Sequence, residues 1–231
     1  MHESRILDYD FLGVPMKFDL VAVYTTGVTC LLVFLLVFFA ARRPSLVPTG
    51  AQNVLESVMG FVQGMVKEQI KPGIAPRFYG FTLSLFLYIL VANQVGLLTS
   101  MPSVMDHHHY VWWKSPTANI NVALVMAVAI TYGAHGMGIA RHGWRYLCQY
   151  KNPFELFGLV TQPLTHGMRL WANIMAGEIV IGVLLQAGSW VMMSAPLIVW
   201  LGYSIFVGVI QAYVFSVLAM VYIGNQLGDP H

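Results

Sequence analysis

Met168-Arg169-Leu170-Trp171-Ala172-Asn173-Ile174-Met175-Ala176-Gly177-Glu178 lies inside an apolar segment running from Phe154 to Gln186. A second apolar segment, Trp190 to Tyr222, follows almost at once. Each is about 33 residues long, roughly 50 Å as a straight helix, against a hydrocarbon core of about 30 Å. Each must tilt steeply or break. Pro163 and Pro196 sit near the two beginnings and leave long uninterrupted stretches behind them, so steep tilt is the expectation.

Arg169 has no acidic residue within a helical turn, although an arginine at bilayer depth costs about 2.5–3.5 kcal/mol on insertion scales. On a helix Asn173 falls about 40° round from Arg169 and one turn along, and Ala176 returns to nearly the same line. Ala172, Ala176 and Gly177 are small, so another backbone could pass close to this face. Glu178 is half a turn out of phase and roughly 13.5 Å further along the axis. Arg169 and Glu178 are therefore not an intrahelical pair.

Working outward, the 231 residues are 57% hydrophobic and 10% charged, with mean hydropathy +0.66. A soluble domain carries about 25% charged residues, so the composition predicts an all-α polytopic membrane protein of about five crossings. The net charge of +2 and the scattered basic residues give no nucleic-acid surface. Cys30 in an apolar span and Cys148 in a basic loop are not expected to pair. The N-terminus, with Glu3, Asp8 and Asp10, lacks the basic start of a signal peptide.

The chain reads as one membrane domain. Residues 1–19 form a polar, turn-rich external arm, and spans are expected at 20–41, 78–98 and 120–139, before the long pair at 154–186 and 190–222. Residues 52–71 carry Val54, Leu55, Val58, Met59, Val62, Met65, Val66 and Ile70 at helical spacing. They predict an amphipathic helix on the membrane surface or against other subunits, or equally one packed on its own protein.

Asp106-His107-His108-His109 falls in a loop, where consecutive side chains do not converge on one ion; it reads as solvated, with no metal expected. His135 reads as an interfacial or packing histidine. With the N-terminus outside, Arg42, Arg43, Lys67, Lys71, Arg77, Arg141, Arg145 and Lys151 face the cytoplasm, while Arg5, Lys17 and Lys114 face out. That bias follows the positive-inside rule and places the C-terminus in the cytoplasm.

Several polar residues lie in apolar surroundings. Asn93 and Gln94 end the second span, Asn119 precedes the third, and Ser204, Gly208 and Gln211 share one face of the last. In an antiparallel hairpin, Gln211 would reach the depth of Arg169. The plainer reading of Ser204 and Gln211 is that they tie helices together. Arginine keeps its proton at accessible pH and cannot relay one. It can act as a fixed charge on a passing carboxylate, worth about 4 kcal/mol at 4 Å and an effective dielectric of about 20. Glu178 can titrate and suits a proton path.

The motif Arg169-Leu170-Trp171-Ala172-Asn173 with Ala176-Gly177-Glu178 resembles that of subunit a of the bacterial F-type ATP synthases. So do Pro48-Thr49-Gly50 with Gln52, Asn53 and Glu56, Val91-Ala92-Asn93 with Gly96-Leu97, and Trp112-Trp113-Lys114-Ser115-Pro116-Thr117-Ala118. Ser204 to Gly208 with Ile210-Gln211-Ala212 also fits. The resemblance covers nearly the whole chain.

It implies a stationary subunit of the Fo sector in the bacterial plasma membrane. Two tilted helices would embrace a rotating ring of c subunits, each bearing a carboxylate, and peripheral-stalk b subunits would be further partners. Protons would pass through two half-channels that Arg169 separates, with Asn173, Glu178 and Gln211 in the path. Ser204, Asn93, Gln94 and Asn119 would be possible lining residues. Two positions depart from the family pattern: Ser204 stands where many relatives carry an ionisable residue, and Asn119 where they often carry aspartate.

No nucleotide site or catalytic residue is expected, since G-x-x-x-x-G-K-[ST] does not occur in the sequence, and no cofactor is implied. A self-contained secondary transporter binding an anion at Arg169 is the alternative, although such transporters usually show an internal repeat. A purely structural assembly subunit is a second alternative.

Overall fold

The computed structural model describes residues 6–11, 14–42, 44–99, 103–105, 108–110, 115–143, 153–186 and 190–228. The chain folds into helices α1 (Leu20–Ala41), α2 (Ala51–Gln69), α3 (Tyr79–Thr99), α4 (Ile120–His142), α5 (Pro153–Gln186) and α6 (Trp190–Leu227). Five of these, all but α2, are long and apolar enough to cross a membrane. The all-α, five-span architecture is therefore present.

Two short antiparallel hairpins lie between or before the helices. Ile6–Phe11 (β1) pairs with Val14–Asp19 (β2), and Ser103–Met105 (β3) with His108–Tyr110 (β4). The sequence read these segments as an arm and a loop. Polar and turn-forming residues in both mask a strand signal, and six-residue strands are too short to show a clear period. His107, Cys148 and most of the basic loop after α4 lie outside the described residues.

The helix ends follow local chemistry. Asp19 caps α1 by accepting from the Val21 and Ala22 amides at 3.0 and 3.4 Å. Asn119 caps α4 by accepting from the Asn121 amide at 3.0 Å. The Asn119 amide also donates to the Asp19 carboxylate at 3.2 Å, so the two caps tie the starts of α1 and α4 together. Gly143, at φ 59°, ends α4, because an L side chain is strained in that region.

Both prolines of the long pair lie within continuous helix. Near Pro163, the Thr161 and Thr165 hydroxyls bond back to the Phe157 and Thr161 carbonyls at 3.0 and 2.8 Å. Side-chain bonds of this kind help a helix to accommodate a proline. The last helix continues past Tyr222 through Asn225 and Gln226 to Leu227, beyond the apolar stretch that marks it in the sequence.

Helix α6 is the centre of the fold: Ala212, Phe215, Ala219 and Met220 are fully buried, and α3, α4, α5 and α2 all pack on it. At Gly224, α6 comes so close to the Gln69 carbonyl at the end of α2 that a methyl group would collide with backbone. Helix α2 buries Val62, Met65 and Val66 in the same core. It is packed on its own protein along that face, while Val54 and Phe61 remain exposed. Helix α1 is peripheral, touching α3 through one side and exposing Leu31, Phe34, Leu36 and Phe39, as a helix facing hydrocarbon would.

Candidate functional site

Glycines of α5 and α6 let neighbouring helices come close. At Gly177 an added methyl would lie 3.2 Å from Leu97 and 3.7 Å from the Ser204 hydroxyl, and at Gly208 it would lie 3.0 Å from the Gln94 amide nitrogen. At Gly167 it would press on Leu124 and the Ala123 carbonyl of α4 at 2.9 and 3.1 Å. Glycine here lets helices approach until side chains three and four residues away can bond across the gap.

One such bond joins the long pair. The Asn173 amide donates to Gln211 Oε1 at 2.6 Å, and Gln211 is only 3% exposed. The Gln211 Nε2 is buried with no partner among the described residues. A cavity of about 150 Å³ opens beside this bond, lined by Asn173, Gly177, Trp200, Ser204 and Gly208, with Leu97 of α3. The Trp200 indole donates to the Gly177 carbonyl at 3.4 Å. The Ser204 hydroxyl is buried and also has no partner among the described residues.

Helix α3 closes the cavity from behind. The Asn93 amide donates to the Gly208 carbonyl at 3.2 Å, and Gln94 donates to the Ile205 carbonyl at 3.0 Å. Asn93 Oδ1 in turn accepts from the Thr117 hydroxyl at 2.9 Å. Thr117 and Ser115 share a 2.7 Å bond, and Ser115 donates to the Ala92 carbonyl at 3.0 Å. Gly96 makes room for Ser115. Fully buried Asn93 thus has both ends of its amide satisfied, as a polar group removed from water requires.

Arg169 stands on the exposed side of α5, one turn before Asn173. Among the described residues it makes no hydrogen bond and no ion pair. An exposed guanidinium in an apolar segment is expensive in lipid unless it is paired. Glu178 is half-buried on α5, further along and on another side.

The structure therefore brings Asn173 and Ser204 to one cavity, with Gln211 bonded to Asn173 beside it and with Asn93 and Gln94 bonded to the α6 backbone. Asn119 stands apart, at the starts of α1 and α4. His166 went unremarked in the sequence. It is 1% exposed, stacked on Phe215 at 3.8 Å between ring centroids, and edge-on to Tyr222 at 5.6 Å. A histidine one turn before the arginine, within an uncharged run, was the signal available.

The family described as ATP synthase A chain matches residues 23–224. The chain belongs to that family. It is 35% identical over 243 residues to the ATP synthase subunit a of Staphylococcus epidermidis, covering 100% of this chain and 99% of that protein. Identity is 36% to the subunit a of Staphylococcus aureus and 35% to that of Staphylococcus carnosus, with the same coverage. For an ATP synthase A chain, the five apolar helices make it a multi-pass membrane protein.

Proposed function

We infer that this chain is the stationary proton-conducting subunit of an ATP synthase, working against a ring of c subunits and held by peripheral-stalk b subunits. The observation that carries the reading is Arg169: exposed, without a hydrogen-bond or ion-pair partner among the described residues, and one turn from the part-buried Asn173–Gln211 bond.

A fixed positive charge on an open helix face suits a partner that brings its own carboxylate. At about 4 Å the attraction is about 4 kcal/mol, enough to drive a protonated carboxyl to release its proton. The same charge opposes passage of a free proton along the α5–α6 seam. Protons then enter on one side of Arg169 and leave on the other, and the ring must turn to connect them. A membrane potential of 100 mV supplies about 2.3 kcal/mol per proton for that turn.

The inlet half-channel is the cavity lined by Ser204 and Asn173, with Gln211 beside it, together with Glu178. Serine at 204 cannot titrate, so Glu178 is the titrating group of this path and the hydroxyl orders water for it. Asn93 and Gln94 hold α3 against the channel wall. The positive-inside bias sets the N-terminus outside and the C-terminus in the cytoplasm of a bacterial cell. The chain does no phosphoryl chemistry, which belongs to partner subunits.

ATP-driven proton pumping by inverted vesicles carrying Arg169→Ala tests the reading. Pumping is expected to vanish while the complex still assembles. Pumping at the normal rate would overturn it.

A further inference from the structure

His166 is the buried titratable group that this mechanism leaves unused. It sits three residues before Arg169 on α5, so the two side chains are neighbours on one face. Both ring nitrogens are buried and have no hydrogen-bond partner among the described residues. Leaving a buried donor or acceptor unpaired is destabilising. Phenylalanine or leucine would fill the space against Phe215 without that penalty. Packing alone therefore does not account for an imidazole.

The groups that face the ring are few. Arg169 of its own helix acts on it electrostatically, as it does on Tyr222. Helix α6 presents the Phe215 face and the Tyr222 edge. Helix α4 presents Ala123 and Leu124 at Gly167. No carboxylate among the described residues pairs with the imidazole, and a neutral imidazole offers one nitrogen lone pair as an acceptor.

His166 lies on the N-terminal side of Arg169 along α5, opposite the Asn173–Gln211 bond. In the orientation proposed above, that is the cytoplasmic side. We propose that His166 is the first proton acceptor of the outlet half-channel, taking the proton that a ring carboxyl gives up on meeting Arg169.

The step balances without another reactant. The carboxyl O–H bond breaks and an N–H bond forms on the imidazole, the proton passing through water because the ring nitrogens are buried. The carboxylate left behind pairs with the Arg169 guanidinium. The new imidazolium, beside a second positive charge, then loses its N–H proton to water on the cytoplasmic side, and the neutral ring is restored. The neighbouring cation that makes the charged ring short-lived also makes it a fast donor. The inference rests on the proposed function, since it needs the ring carboxylate.

The test uses the whole ATP synthase in inverted vesicles with His166→Phe, which keeps an aromatic ring against Phe215 and removes both nitrogens, and with the smaller His166→Leu. Initial rates of ATP-driven acidification are measured from about pH 6 to 9, beside the amount of assembled complex. General acid–base groups typically contribute about 10²–10⁴-fold. Pumping per assembled complex is expected to fall at least about tenfold, with a flatter pH profile.

Wild-type rates and an unchanged pH profile in an assembled variant would make His166 a packing residue and overturn the inference. So would failure of both variants to assemble, which would assign the residue to folding. Loss of pumping in Arg169→Ala with normal pumping in His166→Phe would sink this inference alone, whereas normal pumping in Arg169→Ala would sink the reading beneath it.

Discussion

Asn173 and Gln211 join α5 to α6 through a 2.6 Å hydrogen bond one helical turn from Arg169. On the other side of Arg169 the same two helices are held by the stack of His166 on Phe215. The arginine thus projects from a seam clamped at two points. Its side chain is exposed.

Removing either member of the polar clamp should loosen that seam. Gln211→Ala and Asn173→Ala are each expected to slow pumping several-fold, with the double variant little worse than either single one. Interhelical hydrogen bonds in membranes couple by about 0.6 kcal/mol on average and up to about 1.7. A double-mutant cycle on pumping rates and on detergent melting temperature measures the coupling; strictly additive effects would count against a working bond.

The cavity should tolerate little added bulk. Gly208→Val would push into the Gln94 amide, which an added methyl already meets at 3.0 Å, and would break its bond to Ile205. Overpacking of this kind typically destabilises by about 1–3 kcal/mol. A lowered melting temperature, with slower pumping in what survives, is expected. Ser204→Ala, which removes only the hydroxyl, should leave stability unchanged and slow pumping modestly.

Glu178→Gln keeps shape and removes titration. Pumping is expected to fall by at least about tenfold, since a well-placed acid–base group contributes about 10²–10⁴-fold, while Glu178→Asp should recover part of it. Equal rates for the glutamine and aspartate variants would show that charge at this position is not used.

Asn119 should prove a matter of stability. Asn119→Ala removes the cap of α4 and the 3.2 Å bond to Asp19, and loss of a helix cap costs about 0.5–2 kcal/mol. The melting temperature should drop while pumping per assembled complex stays normal. A selective loss of pumping would instead return Asn119 to the channel lining that the sequence suggested.

The spans were legible because a membrane helix announces itself by an uninterrupted apolar run, and no tertiary contact is needed to read it. The unpaired arginine was equally legible, since its cost in lipid can be argued from the residue alone. The short hairpins were not, because strands of three to six residues carry almost no period of their own. The face that α2 buries was left open between membrane surface and protein core, because an amphipathic pattern says which side is apolar and not what covers it.

The sequence by itself determined the five apolar helices, the arginine with no partner at hand, and the family to which the chain is similar, because each is a property of residue type and order. Only the tertiary structure decided what each polar residue meets. Asn93 and Gln94 bond to the α6 backbone, Asn173 to Gln211, Asn119 to Asp19, and His166 stacks on Phe215. These partners lie between 38 and 115 residues apart in three of the pairs. Each of these pairings is a relation between elements, which no single helix contains.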